Sequence, residues 1–297
     1  MVTVPEAPVA SAPAAVALKQ RALDALGKLP PFSPILNKLL ASLAGEDVSF
    51  TKLGDLMEKD TVVAGNVLHL VNSALYGRRT NINSVRHALS ILGLEKVRNA
   101  VLGMSISRMW NQTRTPADWS MARFNRHSAS VAILSDLMAQ RLPVTYAEGA
   151  FVAGLFHDIG RLLIALGLPA EFARVLESYE QTDRSWIECE QETLGFGHPE
   201  LSAEALAAWK LPEPIQQAVR DHHNPGPFQP GAEIPLSCVL DAANRYANSV
   251  GESILTGQKK DRSSAAWIEP FGLAPEEVER LLADFDAEHK AMEQFFR

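Results

Sequence analysis

Residues 150–164 read AFVAGLFHDIGRLLI, and this stretch decides the fold. Its apolar positions recur at helical rather than alternating spacing, so it predicts a buried helix. In its middle stands His157-Asp158, a polar pair that is costly to bury without partners. Neighbours on a helix point about 100° apart. The pair can therefore serve one site only if a helix end or adjoining elements cooperate.

Helical periodicity continues on both sides of that stretch. Upstream, Ser49 caps an expected helix carrying Leu53, Leu56 and Met57, and Asp60 caps one carrying Val63, Val67, Leu70, Val71 and Ala74 that ends near Gly77. A third carries Val85, Leu89 and Leu92 and stops at Gly93, and a fourth carries Leu94, Val97, Val101 and Met104. The polar run NQTRTPAD (111–118) is a break. Helices are then expected near 120–140, 146–166, 170–180, 200–209, 212–222 and 234–249, followed by a loose polar stretch over 251–264. A last amphipathic helix runs from about Pro275 to Phe295, with Glu276 and Glu277 at its positive end. The expected fold is all-α. A flexible leader covers 1–20, an N-terminal helical half 21–112 and a second helical half 119–250, and 251–297 forms a linker and terminal helix.

The 297 residues carry 28 Lys+Arg against 35 Asp+Glu, a net charge of −7, and 46% are hydrophobic. That is enough apolar material for a sizeable core, which excludes wholesale disorder. Net acidity argues against a dedicated nucleic-acid binder. No stretch reads as the roughly 20 consecutive apolar residues that span a bilayer, and the Ala/Pro/Val-rich start lacks the cationic region of a secretory signal. A cytoplasmic location follows as the expectation. Cys189 and Cys238 belong to no CxxC, so they read as free buried thiols, with a single bridge as the alternative. The scattered Trp110, Trp119, Trp186, Trp209 and Trp267 read as packing anchors.

Charge is unevenly spread. Residues 78–126 hold Arg78, Arg79, Arg86, Lys96, Arg98, Arg108, Arg114, Arg123 and Arg126 against only Glu95 and Asp118, whereas 171–204 are strongly acidic. Two solvated faces attracting one another, or a basic surface for an anionic partner, both fit.

Five of the eight histidines fall between positions 127 and 223: His127, His157, His198, His222 and His223. Together with Asp158, and with Asp241 in the otherwise apolar SCVLDAANRYA, they form an imidazole and carboxylate set without thiolate. Such a set suits one or two ions of Fe, Mn, Zn or Ni rather than a structural zinc finger. Asp158 could bridge two metals, and the pair could activate a water for attack on phosphorus. Each histidine alone also reads as a hydrogen-bonded core residue, and Asp241 as a helix carboxylate paired with Arg245 at i+4.

Several separated blocks then carry a resemblance: LPPFSPILNKLL (29–40), DLMEKDTVVAGNVLHLVNSALYG (55–77), INSVRHALSILGLEKVRNAVL (82–102), RHSASVA (126–132), FVAGLFHDIGRLL (151–163), GHPELSAEALAAWKLPEPIQQAVRDHH (197–223) and VLDAANRYA (239–247). In this order they resemble the HDOD domain, the divergent output domain related to HD and HD-GYP phosphohydrolases, over roughly residues 25–250. The resemblance implies an N-terminal helical bundle packed on an HD-like helical core. It also implies a regulatory or scaffolding role in bacterial signal transduction, within two-component and cyclic-dinucleotide signalling. Partners would be a response regulator, a histidine kinase or a cyclic-dinucleotide enzyme. Matched residue by residue, His127, His157, Asp158 and Asp241 correspond to the minimal HD-type metal site, and His198, His222 and His223 to the additional ligands of two-metal relatives.

The alternative implied is a metal-dependent phosphohydrolase acting on a nucleotide or cyclic dinucleotide, with Asp158 bridging metals and Arg161 on phosphate. Against it, the paired histidines are followed by NPGPFQPGAEIP (224–235), which lacks the Gly-Tyr-Pro triplet of the active phosphodiesterases, and Arg161 stands where those enzymes prefer Lys. The favoured expectation is a non-catalytic module that retains an HD-like metal or ligand pocket. A DNA-associated regulator using residues 78–126 is the third and weakest reading, for want of a helix-turn-helix signature.

Overall fold

Apolar residues at helical spacing must bury one face, and here they do so in a set of packed helices. The computed structural model describes residues 12–44, 50–72, 82–229, 232–255 and 264–295. In chain order its helices are α1 (Ala12–Asp24), α2 (Pro34–Ala41), α3 (Phe50–Lys59), α4 (Thr61–Val71), α5 (Val85–Leu92), α6 (Leu94–Trp110), α7 (Met121–Ala139), α8 (Ala150–Phe156), α9 (Ile159–Gly167), α10 (Pro169–Gln181), α11 (Trp186–Leu194), α12 (His198–Ala208), α13 (Glu213–Asp221), α14 (Leu236–Val250) and α15 (Pro275–Met292). Among the described residues no strand forms; a single bridge joins Val144 to Ile234. The fold is all-α, as expected.

Local chemistry sets the boundaries. Asp60 accepts from the backbone N–H groups of Val62 and Val63 and starts α4. Ser84 accepts from His87 N to start α5, and Gly93 ends it at φ +82°, a left-handed value that a β-carbon would strain. The expected cap at Ser49 and the helix end near Gly77 lie outside the described residues.

One hydrophobic core runs through both halves of the chain. Its joint is aromatic: Trp110 packs on Phe124 and Phe156 at centroid distances of 5.2 and 5.8 Å, and Phe156 packs on Trp209 at 5.3 Å. Phe32 reaches Phe156 and Trp209 from the N-terminal side. Cys189 and Cys238 are buried and free.

The structure revises four readings. The helix expected over 146–166 is two, α8 and α9, interrupted at His157-Asp158. The stretch Ala147–Gly167 is long and apolar enough to pass for a membrane span, contrary to the reading above, but it is wholly buried as the centre of the core. Residues 12–20, assigned to a flexible leader, are helical. Their α1 packs on α9 and α12, with Lys19 paired to Glu200 and Glu204 and Lys28 Nζ donating to Leu166 O at 2.6 Å. Helix α11 went unread although Ser185 and Glu188 spell a capping box, which the structure forms.

Candidate metal centre

The interruption between α8 and α9 is what makes the site. The chain turns at His157-Asp158, Asp158 O accepts from Arg161 N at 3.0 Å, and Gly160 N donates to Ser202 Oγ of α12 at 2.8 Å. Both His157 and Asp158 thereby face one interior point. His127 arrives from α7, His198 from the first turn of α12, and His222 and His223 from the turn that ends α13.

Asp158 is at the centre. Its Oδ2 lies 3.5 Å from Nε2 of both His127 and His157, and its Oδ1 lies 3.0 Å from His198 Nε2 and 3.7 Å from His222 Nε2. His223 Nε2 is 3.2 Å from His198 Nε2. The donor atoms form two groups within 4.8 Å, His127/His157/Asp158 and Asp158/His198/His222/His223, which share Asp158. All six side chains are buried except that of His223, which is partly so.

The rings are held with Nε2 inward. His127 Nδ1 sits 2.7 Å from Glu252 O, His157 Nδ1 2.8 Å from Gly154 O and His222 Nδ1 2.6 Å from Val219 O. A carbonyl only accepts, so these Nδ1 atoms carry the proton, which in a neutral ring leaves the lone pair on Nε2. His198 differs: Glu190 Oε2, fully buried, accepts both its Nδ1–H at 2.6 Å and its backbone N–H at 2.8 Å. Glu190 Oε1 accepts from Trp186 Nε1 at 2.6 Å. Sequence reading missed Glu190, because it stands among Glu188, Gln191 and Glu192 in WIECEQETL and nothing local separates it from those surface-facing polar residues.

Electrostatics keep the set ready for a cation. Burial pushes His157 down to about 4 and, with His198 as neighbour, His223 to about 2; it also lowers His222, further lowered by His223. Burial opposes ionisation of Asp158, but Arg161, His157 and His198 outweigh it and hold the carboxyl well below the usual range. His198 is raised, because Glu190 overcomes its desolvation. Despite these close neighbours, neither Asp158 oxygen nor His222 Nε2 is satisfied by a well-directed hydrogen bond. Buried atoms in that state need a partner, and inward lone pairs around a bridging carboxylate fit a divalent metal with N/O preference.

Arg161 also lies against Asp158, Nε to Oδ2 3.2 Å, with its guanidinium over the Trp186 ring at 5.5 Å. Beside it is a cavity of about 60 Å³ lined by Asp118, Trp119, Arg123, Trp186 and Leu255, among others. The segment following α14 covers this side. Arg123 donates to Ser253 O and Leu255 O, and Arg126 pairs with the Glu252 carboxylate.

Asp241 does not join the cluster. Both of its oxygens accept from Arg245 Nε, at 2.8 and 2.9 Å, and it lines a separate cavity of about 510 Å³ with Phe228, Trp267 and Phe271. The i+4 pairing legible in the sequence prevails, because α14 points this face away from Asp158.

The basic run over 78–126 is partly paired within the molecule, while Arg108 and Arg114 are exposed. Arg86 pairs with Asp55 and Glu58, Lys96 with Glu288 at 3.5 Å, and buried Arg98 donates to Glu148 O. Arg78 and Arg79 lie outside the described residues. The acidic stretch pairs instead with α1, through Lys19 and Arg21.

Known proteins share this architecture. The family model for the HDOD domain matches residues 29–225. An HDOD domain protein with unknown function from Geobacter sulfurreducens superposes with a TM-score of 0.71 at 23% identity, covering 94% of this chain and 98% of that one. A candidate phosphohydrolase from Shewanella amazonensis SB2B gives 0.71 at 22%, covering 93% and 98%. A candidate signal transduction protein from Marinobacter aquaeolei VT8 gives 0.70 at 21%, covering 96% and 66%. The chain spans 42% of the length of the curated relative it matches, an uncharacterized protein of Treponema pallidum (strain Nichols), with 22% identity over 234 residues, or 74% of this chain.

Proposed function

The chain belongs to the HDOD domain family, and from that premise we propose that it is a regulatory or scaffolding module of bacterial signal transduction, non-catalytic, built around a buried divalent-metal centre. The observation that carries this reading is a converging set of five histidines and one aspartate, all buried except the partly exposed His223. Small-molecule sites usually offer about 300–1,000 Å³; the cavity beside Arg161 offers about 60 Å³. A centre this enclosed suits holding helices together better than admitting a nucleotide.

In this reading His127, His157 and Asp158 hold one ion, and Asp158, His198, His222 and His223 hold a second, of Fe, Mn or Zn. Ligands from α7, the α8–α9 turn, α12 and the end of α13 would then meet at one point, so metal-binding energy would become folding energy. The module acts in the cytoplasm through protein partners, with a response regulator, a histidine kinase or a cyclic-dinucleotide enzyme as the candidate class.

A second reading, metal-dependent phosphohydrolase, is favoured by one observation: a carboxylate shared between two donor groups with a guanidinium at its side. When bound, a metal pair supplies a low-pKa water and charge neutralisation. Arg161 would then orient a phosphoryl oxygen, and the 252–255 segment would have to move to admit it.

The deciding experiment is elemental mass spectrometry of untagged, chelator-free protein, wild type and Asp158→Ala, beside a phosphodiester hydrolysis screen. One or two equivalents of metal lost in the variant, with no turnover, support the module. Turnover that vanishes in Asp158→Ala supports the hydrolase. Metal below about a tenth of an equivalent after anaerobic reconstitution removes both.

A further inference from the structure

The two halves of the cluster are chemically unlike. The first, His198/His222/His223 with Asp158 Oδ1, contains the one ring in the set backed by a carboxylate. Glu190 is buried among apolar residues of α11, and it is committed to His198 twice, at 2.6 and 2.8 Å. A carboxylate on Nδ1–H fixes the tautomer and makes the opposite nitrogen a stronger donor than a carbonyl does. The second half, His127/His157 with Asp158 Oδ2, has carbonyls behind both rings. Its carboxylate oxygen already faces Arg161 Nε at 3.2 Å. A guanidinium stays charged, so it repels a cation approaching that oxygen while supplying part of the charge the cation would bring. Its charge also reaches His198 and His223, but the first half has the Glu190 carboxylate to offset it and the second half has none.

Resting on the metal-centre reading above, we propose that these are two unequal cation sites: a tight one in which Glu190 is the positioning residue, and a weak, exchangeable one held down by Arg161. The chain then keeps one ion as part of its fold and exchanges the other with its surroundings. Glu190 is not replaceable by its amide. Three donors converge on it, from Trp186 Nε1, His198 N and His198 Nδ1. A glutamine would turn an N–H toward at least one of them.

The test is equilibrium dialysis of the full chain against a series of buffered free Zn²⁺ concentrations, with bound zinc counted by elemental mass spectrometry. Wild type is expected to load in two separated steps. Glu190→Gln is expected to weaken the tight step by about 10- to 100-fold and to leave the weak step in place. Arg161→Gln is expected to strengthen the weak step by roughly tenfold, and by more than it changes the tight one. Circular dichroism checks that each variant folds; if Glu190→Gln does not, Arg161→Gln reads the same asymmetry from the other side. Two equal steps in wild type, or variants that shift both steps alike, overturn the inequality while leaving the metal centre standing. Wild type that takes up no zinc at all overturns the metal centre itself.

Discussion

The Nε2 atoms of His127 and His157 face one another at 3.2 Å, while Nδ1 of each ring lies on a backbone carbonyl. In neutral rings with the Nδ1 proton on a carbonyl, the two Nε2 lone pairs meet in a dry interior. Burial holds His157 down to about 4, so its own Nε2 carries no proton at neutral pH. A cation placed between the two rings would be held by both nitrogens, and Asp158 Oδ2, 3.5 Å from each, would be its counter-charge.

Because Asp158 serves both halves, Asp158→Asn should lose all bound metal, whereas His127→Ala should keep the ion of the other half. Metal-to-protein ratios of dialysed protein check this. Equal loss in both variants would contradict a shared carboxylate.

Acidification should unfold the metal-free protein. A histidine whose folded pKa is depressed binds its proton more readily when unfolded, so stability falls as pH drops from about 6.5 toward the folded value. For His157, at about 4, the loss amounts to at most roughly 3 kcal/mol by pH 4. His222, His223 and Asp158 act in the same direction, and His198, with its raised pKa, opposes them. Thermal melts of chelator-treated protein should drop between pH 7 and 5, and saturating Zn²⁺ should raise the pH 7 melt. A flat profile would mean the rings are not buried neutral.

Asp136 carries the opposite sign. Burial first, and Glu288 second, push it up to about 6, so its folded form prefers the proton. It contributes stability below about 4 and loses it as pH rises through 6, a cost of up to about 3 kcal/mol at neutral pH. Asp136→Asn can still accept from Asn99 Nδ2 through its oxygen, while its NH2 needs the exposed Gln140 amide to turn over and accept. It should therefore stabilise by about 1–2 kcal/mol at pH 7.5 and by much less at pH 4. Urea titrations at the two pH values decide.

A β-carbon on Gly160 would lie 2.2 Å from His198 O and 2.9 Å from Ser202 Oγ. The first of these is backbone, so α9 and α12 must part. Gly160→Ala should cost about 3 kcal/mol or more and weaken zinc binding, since His198 moves with α12. A melt within about 2 °C of wild type would show that the helices yield freely.

Arg123 holds Ser253 O and Leu255 O over the centre. Arg123→Ala should raise hydrogen exchange in 252–255 and speed metal release to a chelator, with little change in α12. Unchanged exchange would mean that the His127 and Arg126 contacts suffice.

Periodicity and caps were enough to read the all-α class, α4 from Asp60, α5 up to Gly93 and the terminal helix after Pro275, because these signals act within one or two turns. Five histidines and Asp158 could be singled out by residue type and by matching blocks. Their convergence, the split of one apolar run into α8 and α9, the burial of Glu190 behind His198 and the removal of Asp241 to Arg245 were decided by tertiary packing. Those outcomes depend on which face of α11, α12 and α14 meets α9, on Ser202 taking the Gly160 N–H and on no side chain filling the gap at Gly160. Spacing along one helix constrains direction only within that helix; the angle between helices comes from the core they close together.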